Sequence, residues 1–184
     1  AGSVEEFVAL MNKRAKELGM NETNFITCNG LDADGHQMSA YDIALMSREL
    51  LKHEDVFQFT TIWMDSLRDG KFTLSNTNKL IRFYKGATGL KTGSTSVAKN
   101  CISATAKRDG MHLIAVVMGA ETSKKRFADA SNMLNYGFGA YGVKKVIEKG
   151  KPMSEANVKK GMKSKTELVA ENDFTYLFKR SEKN

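Results

Sequence analysis

The chain has 184 residues, 41% of them hydrophobic and 27% charged, which suits a globular protein of one domain, or of one domain with a small appendage. No apolar run is long enough to cross a bilayer, so a chain built of membrane spans is excluded. The net charge of +7 is uneven: residues 143–184 hold 11 Lys/Arg against 6 Asp/Glu, while residues 1–142 hold 17 against 15. The basic tail is not interleaved with stacking aromatics, which argues against nucleic acid and for a solvated face, an anionic polymer or a membrane surface. Cys28 and Cys101 are far apart and lack metal spacing; they read as two buried free thiols, with a disulfide unforced. The opening Ala1-Gly2-Ser3-Val4-Glu5-Glu6 shows no secretory leader and reads as the middle of a domain.

Ser3 with Glu6 three residues on forms a capping box. Phe7, Val8, Leu10, Met11, Ala15 and Leu18 then recur at helical spacing and Gly19 ends the run, so a helix with one buried face is expected over about 4–18. Residues 20–38, rich in Asn, Asp and Gly, read as loop. Its acids do not match the spacing of a calcium-binding EF-hand, and no glutamate closes it. Ser39 caps a second helix with Ile43, Met46, Leu50 and Leu51 on its inner face. Residues 54–79 are ambiguous: Phe57, Phe59, Ile62, Trp63 and Leu67 read as core, and Asn76-Thr77-Asn78-Lys79 as a turn.

Gly89-Leu90-Lys91-Thr92-Gly93-Ser94-Thr95 reads as a strand with Lys91 and Gly93 on one face and Thr92 on the other. A glycine beside the lysine leaves room for an extended ligand to lie along the strand. Residues 101–106 suit a second strand, Asp109-Gly110 a hairpin turn, and the apolar run 111–118 a strand buried on both faces. The first two strands are expected to be adjacent and antiparallel. A helix carrying Phe127, Ala130, Met133 and Leu134 follows, with Arg126 in its first turn. A guanidinium beside a helix N-terminus can hold a carboxylate, although a surface arginine is the plainer reading. Residues 166–170 and 174–178 read as two strands of a small β unit.

Asn29-Gly30-Leu31-Asp32 with Gly35-His36, then Ser39-Ala40-Tyr41-Asp42-Ile43-Ala44, Asn76-Thr77-Asn78-Lys79-Leu80, Gly89-Leu90-Lys91-Thr92-Gly93, and Ala104-Thr105-Ala106-Lys107-Arg108-Asp109-Gly110-Met111 occur in that order. Together they resemble the low-molecular-mass penicillin-binding proteins, the serine-type D-alanyl-D-alanine carboxypeptidases. The likeness implies an α/β (α+β) fold, an antiparallel sheet flanked by helices of the serine β-lactamase kind. Residues 1–142 would be the C-terminal part of that domain and residues 143–184 the start of a small β domain. Of the family's three motifs, Ser-x-x-Lys, Ser-x-Asn and Lys-Thr-Gly, this sequence holds only the last. Its one Ser-x-x-Lys, Ser96 to Lys99, stands three residues after Gly93 rather than at a helix start upstream. The resemblance therefore implies a missing N-terminal segment with the nucleophile, and a chain inactive by itself.

By resemblance, Lys91 serves the substrate carboxylate and the hydroxyl network. Thr92 bonds the terminal carboxylate, Gly93 permits close approach, and the backbone N–H of Ser94 is an oxyanion donor. Arg126 matches the family's arginine near the terminal carboxylate, and Asn29 a polar position near the site. The implied partners are D-Ala-D-Ala stem peptides of peptidoglycan and β-lactams, at the extracytoplasmic face of a bacterial membrane, with no metal or organic cofactor. A β-lactamase, a transpeptidase or a non-catalytic wall-binding fragment are the alternatives. Lys85, Thr88 and Ala98-Lys99-Asn100 depart from the commoner family pattern.

Overall fold

A computed structural model describes residues 1–182, so the last two residues of the expected second domain lie outside the described residues. Two compact units emerge: residues 1–108 with 112–136, and residues 109–111 with 137–184.

The first unit opens with α1 (Val4–Glu17), where Ser3 Oγ accepts from the Glu6 N–H at 3.1 Å as the capping box requires. α2 (Ala40–Leu50) is capped by Ser39 Oγ on the Asp42 N–H at 3.2 Å. The loop between them is organised by side chains standing in for a backbone ladder. Asn12 exchanges two 2.8 Å bonds with Phe25, and His36 Nδ1 accepts from the Ile26 and Thr27 N–H groups. The buried Asp42 carboxylate accepts from Glu22 N–H and Thr23 Oγ1. The single-turn α3 (Phe57–Thr60), the hairpin β1 (Met64–Leu67) and β2 (Phe72–Ser75), and α4 (Leu80–Phe83) follow.

β3 (Ala87–Thr95), β4 (Lys99–Arg108) and β5 (Met111–Ala120) form a three-stranded sheet in that order. β3 and β4 are antiparallel, as expected, with Lys91 opposite Ser103 and Gly93 opposite Cys101. Asp109 and Gly110 both take positive φ, the conformation of a type I′ turn between β4 and β5. β4 is the central strand and its residues 102–106 are all buried, so it is buried on both faces. Its small side chains let α2 approach, and Ser47 Oγ meets Ser103 Oγ at 2.7 Å. α5 (Ser123–Ala140) follows, its Arg126, Ala130 and Leu134 buried.

Several burial expectations are corrected. β5, read as buried on both faces, is an edge strand among the described residues, with only Met111, Ala115 and Ala120 buried. Val4, Phe7 and Leu10 of α1 are exposed, because no described element covers that face. With Met11, Phe25 and Met46, Phe7 and Leu10 line an open apolar groove. Phe59, Ile62 and Leu67 are exposed too, leaving Phe57 and Trp63 half-buried. Met133 of α5 is also exposed. Both thiols are free, but Cys28 is exposed and Cys101 half-buried.

In the second unit β6 (Tyr141–Ile147) pairs with β9 (Phe174–Lys179), and β7 (Pro152–Asn157) pairs with β8 (Lys165–Val169), all antiparallel. The two later strands fall where the sequence suggested; β6 and β7 escaped notice because their lysines and polar residues hide any apolar face. Lys145 and Asp173 form a 2.6 Å ion pair, each raising the other's share of its charged form.

His112 of β5 provides a pH test of the sheet. Its Nε2 lies 2.9 Å from Thr88 Oγ1, which also meets Thr105 Oγ1 at 2.7 Å. Burial, with the Lys107 charge as a smaller cause, holds its pKa below the ordinary histidine value. The unfolded chain therefore takes up this proton first as pH falls. The associated stability is present above the unfolded value of about 6.5 and is lost as pH drops towards the folded one. The urea midpoint is expected to fall between pH 7 and pH 5.5, and His112→Gln to flatten that part of the profile. An unchanged slope in the variant would show that His112 does not cause it.

Candidate active site

The site is built on β3, an edge strand among the described residues. Its free edge offers backbone groups to an extended ligand. Lys91 and Gly93 are exposed, and Thr92, on the opposite face, is 6% exposed. The Lys91 ammonium folds back to donate to the Thr92 carbonyl at 2.6 Å. A Cβ placed on Gly93 would meet no atom within 4 Å, so this glycine is not dictated by packing. Ser94 stands opposite Asn100, and its hydroxyl donates to Asn100 Oδ1 at 3.2 Å.

Arg126 reaches β3 from the first turn of α5. At 5% exposed it is no surface arginine. Its Nη1 donates to the carbonyls of Gly93 and Cys101, both at 3.1 Å, and to Ser94 Oγ at 3.3 Å; its Nη2 donates to Ser123 Oγ at 3.1 Å. Its Nε is buried without a hydrogen-bond partner among the described residues. Burial pulls the guanidinium pKa below its ordinary value, yet an arginine stays charged there. The result is a fixed positive charge under the Gly93–Ser94 end of β3. Lys91, Thr92, Gly93, Ser94 and Arg126 thus come together on one strand and the helix turn behind it.

Three further residues tie down β3. Asn78, buried at 1% exposed, donates through Nδ2 to the Gly89 carbonyl at 2.9 Å and accepts at Oδ1 from the Leu80 N–H at 3.1 Å. Thr77 Oγ1 lies 2.7 Å from Thr92 Oγ1. Asp32 accepts from Thr95 Oγ1 at 2.7 Å and Ser96 Oγ at 3.4 Å. The sequence signal for the first two was a polar cluster between Leu74 and Leu80, which reads as a turn. Among the described residues Asn29 makes only a local bond, accepting from the Leu31 N–H at 3.1 Å, and is exposed. Ser96 and Lys99 sit where β3 turns into β4, with the Ser96 hydroxyl engaged by Asp32.

The family model for D-alanyl-D-alanine carboxypeptidases matches residues 1–122. The chain belongs to the D-alanyl-D-alanine carboxypeptidase family. A model of the C-terminal domain of penicillin-binding protein 5 matches residues 141–184. D-alanyl-D-alanine carboxypeptidase DacF of Bacillus subtilis is 45% identical, over 99% of this chain and 48% of its own. Penicillin-binding protein 5 from Haemophilus influenzae superposes with a TM-score of 0.78 at 31% identity, covering 99% of this chain and 53% of that one. Penicillin-binding protein D2 from Listeria monocytogenes, solved in its cefotaxime-bound form, gives a TM-score of 0.66 at 36% identity over 72% of this chain and 55% of that one. The carboxypeptidase-family chain thus spans about half the length of the curated relatives it matches, and its mixed helix and antiparallel-sheet fold is that of penicillin-binding proteins. Among its described residues no helix is long and apolar enough to cross a membrane.

Proposed function

We propose that this chain is the C-terminal part of a serine-type D-alanyl-D-alanine carboxypeptidase that trims peptidoglycan stem peptides at the extracytoplasmic face of a bacterial membrane. One observation carries the reading: the free edge of β3 presents Lys91 and an unobstructed Gly93 above the buried charge of Arg126. The peptide lies along that edge with its terminal carboxylate towards Thr92 and the Arg126 field. The Ser94 N–H supplies one oxyanion donor and Lys91 stabilises the hydroxyl network. The nucleophilic serine and its activating lysine come from a part of the longer protein outside these residues, which agrees with the span of the relatives and with Ser96 being held in a strand turn. The serine oxygen attacks the carbonyl of the penultimate D-alanine. Its proton passes to the leaving amine, D-alanine departs, and water hydrolyses the ester. β-Lactams acylate the same serine.

A catalytic part over 1–142 and a small β domain from 143 onwards are supported by the two family matches, which break between residues 122 and 141. The lysine excess of residues 143–184 suits an anionic surface close to the wall. The full-length protein is expected to release D-alanine from a peptide ending in D-Ala-D-Ala, and benzylpenicillin to block it. Lys91→Ala should lower kcat/KM by roughly 100-fold or more, the scale of losing one electrostatic stabiliser at the reacting centre. A full-length protein that neither releases D-alanine nor binds penicillin covalently would refute the reading.

A further inference from the structure

We propose that Thr77 is a positioning residue for this site: its hydroxyl donates to Thr92 Oγ1 and so frees the Thr92 proton for the carboxylate of the ligand. The inference rests on the carboxypeptidase reading and deepens it. The two hydroxyl oxygens lie 2.7 Å apart, a distance that fits either direction of donation. Ligand chemistry decides between them. A hydroxyl has one proton to give and two lone pairs to accept with, whereas a carboxylate only accepts. Thr92 can bond a carboxylate only by giving its proton, so the bond between the threonines must run from Thr77 to Thr92. Donation into Thr92 also polarises its O–H and makes it the better donor.

The local structure keeps Thr77 in place for this. On one side Asn76 Nδ2 donates to the Ile62 carbonyl at 2.9 Å, and Asn76 Oδ1 accepts from the Asn78 N–H at 2.9 Å. On the other, Asn78 Nδ2 holds the Gly89 carbonyl of β3. The backbone of Thr77 is thereby fixed at a set distance from the strand. Thr77 is itself exposed, so the interior does not need it as filling.

The test uses the full-length protein with Thr77→Val, which keeps the shape but lacks the hydroxyl, and Thr77→Ser, which keeps the donor. Each is assayed on a peptide ending in D-Ala-D-Ala as the free acid and as the C-terminal amide, with the thermal midpoint as the check on folding. An amide offers both a donor and an acceptor, so it is indifferent to the proton direction at Thr92. Thr77→Val is expected to lower kcat/KM for the free acid about fivefold to tenfold, the scale of one hydrogen bond. The amide should change little, and Thr77→Ser should stay close to the parent. Parental values in Thr77→Val, equal losses on both peptides, or a serine variant as poor as the valine one would each overturn the proposal. A parent that releases no D-alanine fails before any variant is compared; that result overturns the carboxypeptidase reading and removes the ligand from this pair.

Discussion

Asn78→Ala is expected to lower stability by about 3 kcal/mol, since it strands two buried groups that each cost roughly 1–3 kcal/mol when unpaired. The groups are the Gly89 carbonyl, which loses Nδ2, and the Leu80 N–H, which loses Oδ1. Both bonds are buried, so water offers little replacement. Asn78→Asp separates the two terms. An aspartate can still accept from Leu80, but at neutral pH it sets a buried carboxylate against the Gly89 carbonyl, so its loss is expected to be at least as large as that of the alanine variant. Urea unfolding of the parent and both variants gives the comparison. A loss below about 1 kcal/mol for the alanine variant would mean that the segment 76–80 relaxes onto β3 without its asparagine, against the buried-pair argument.

Gly93→Val should have the opposite signature: folding intact, reaction with penicillin slowed on the order of 100-fold, the penalty for displacing a bound group by about an ångström. The position takes a Cβ without contact within 4 Å and lies outside the left-handed backbone region. A β-branched residue is moreover a good strand former. If the glycine served the fold, valine would be harmful to stability; if it serves a ligand lying along the strand, valine would harm only acylation. The measurement is the second-order rate of penicilloyl-enzyme formation alongside the urea midpoint, in the full-length protein. Unaltered acylation would remove Gly93 from the site, and a large fall in the urea midpoint would return it to the fold.

The pieces of this fold that could be read from sequence are those whose signal is local. The capping serines at Ser3 and Ser39, the Asp109-Gly110 turn and the β3–β4 pairing follow from short-range chemistry and appear as expected. Burial does not follow so easily, because it depends on which other element arrives. The stripe of α1 has the right spacing, yet Phe7 and Leu10 stay exposed among the described residues. The apolar run of β5 was compatible with a central strand, whereas the small residues of β4 occupy the centre. Asn78 and Thr77 were legible only as turn formers, since an asparagine that caps a turn and one that braces a distant strand look alike in a sequence. Arg126 was visible as a helix-start arginine, but its bonds to Gly93 and Cys101 require knowledge of the strand ends that lie over it.

The braces on β3 differ in how far along the chain they come from, and this sets an order on folding. The hairpin of β3 and β4 grows outwards from the pair Thr95–Lys99, a closure that takes microseconds in small hairpins. Asn78 and Thr77 join from 11 and 15 residues away, Arg126 from 33 residues beyond Gly93, and Asp32 from 63 residues before Thr95. Each longer closure carries a larger entropic penalty and falls later. During refolding the hairpin can therefore be complete while its Gly93–Thr95 end still lacks both the charge of Arg126 and the loop that carries Asp32. Recovery of strand content and recovery of a receptive edge are separate events, the second waiting on residues that lie far from the strand in sequence.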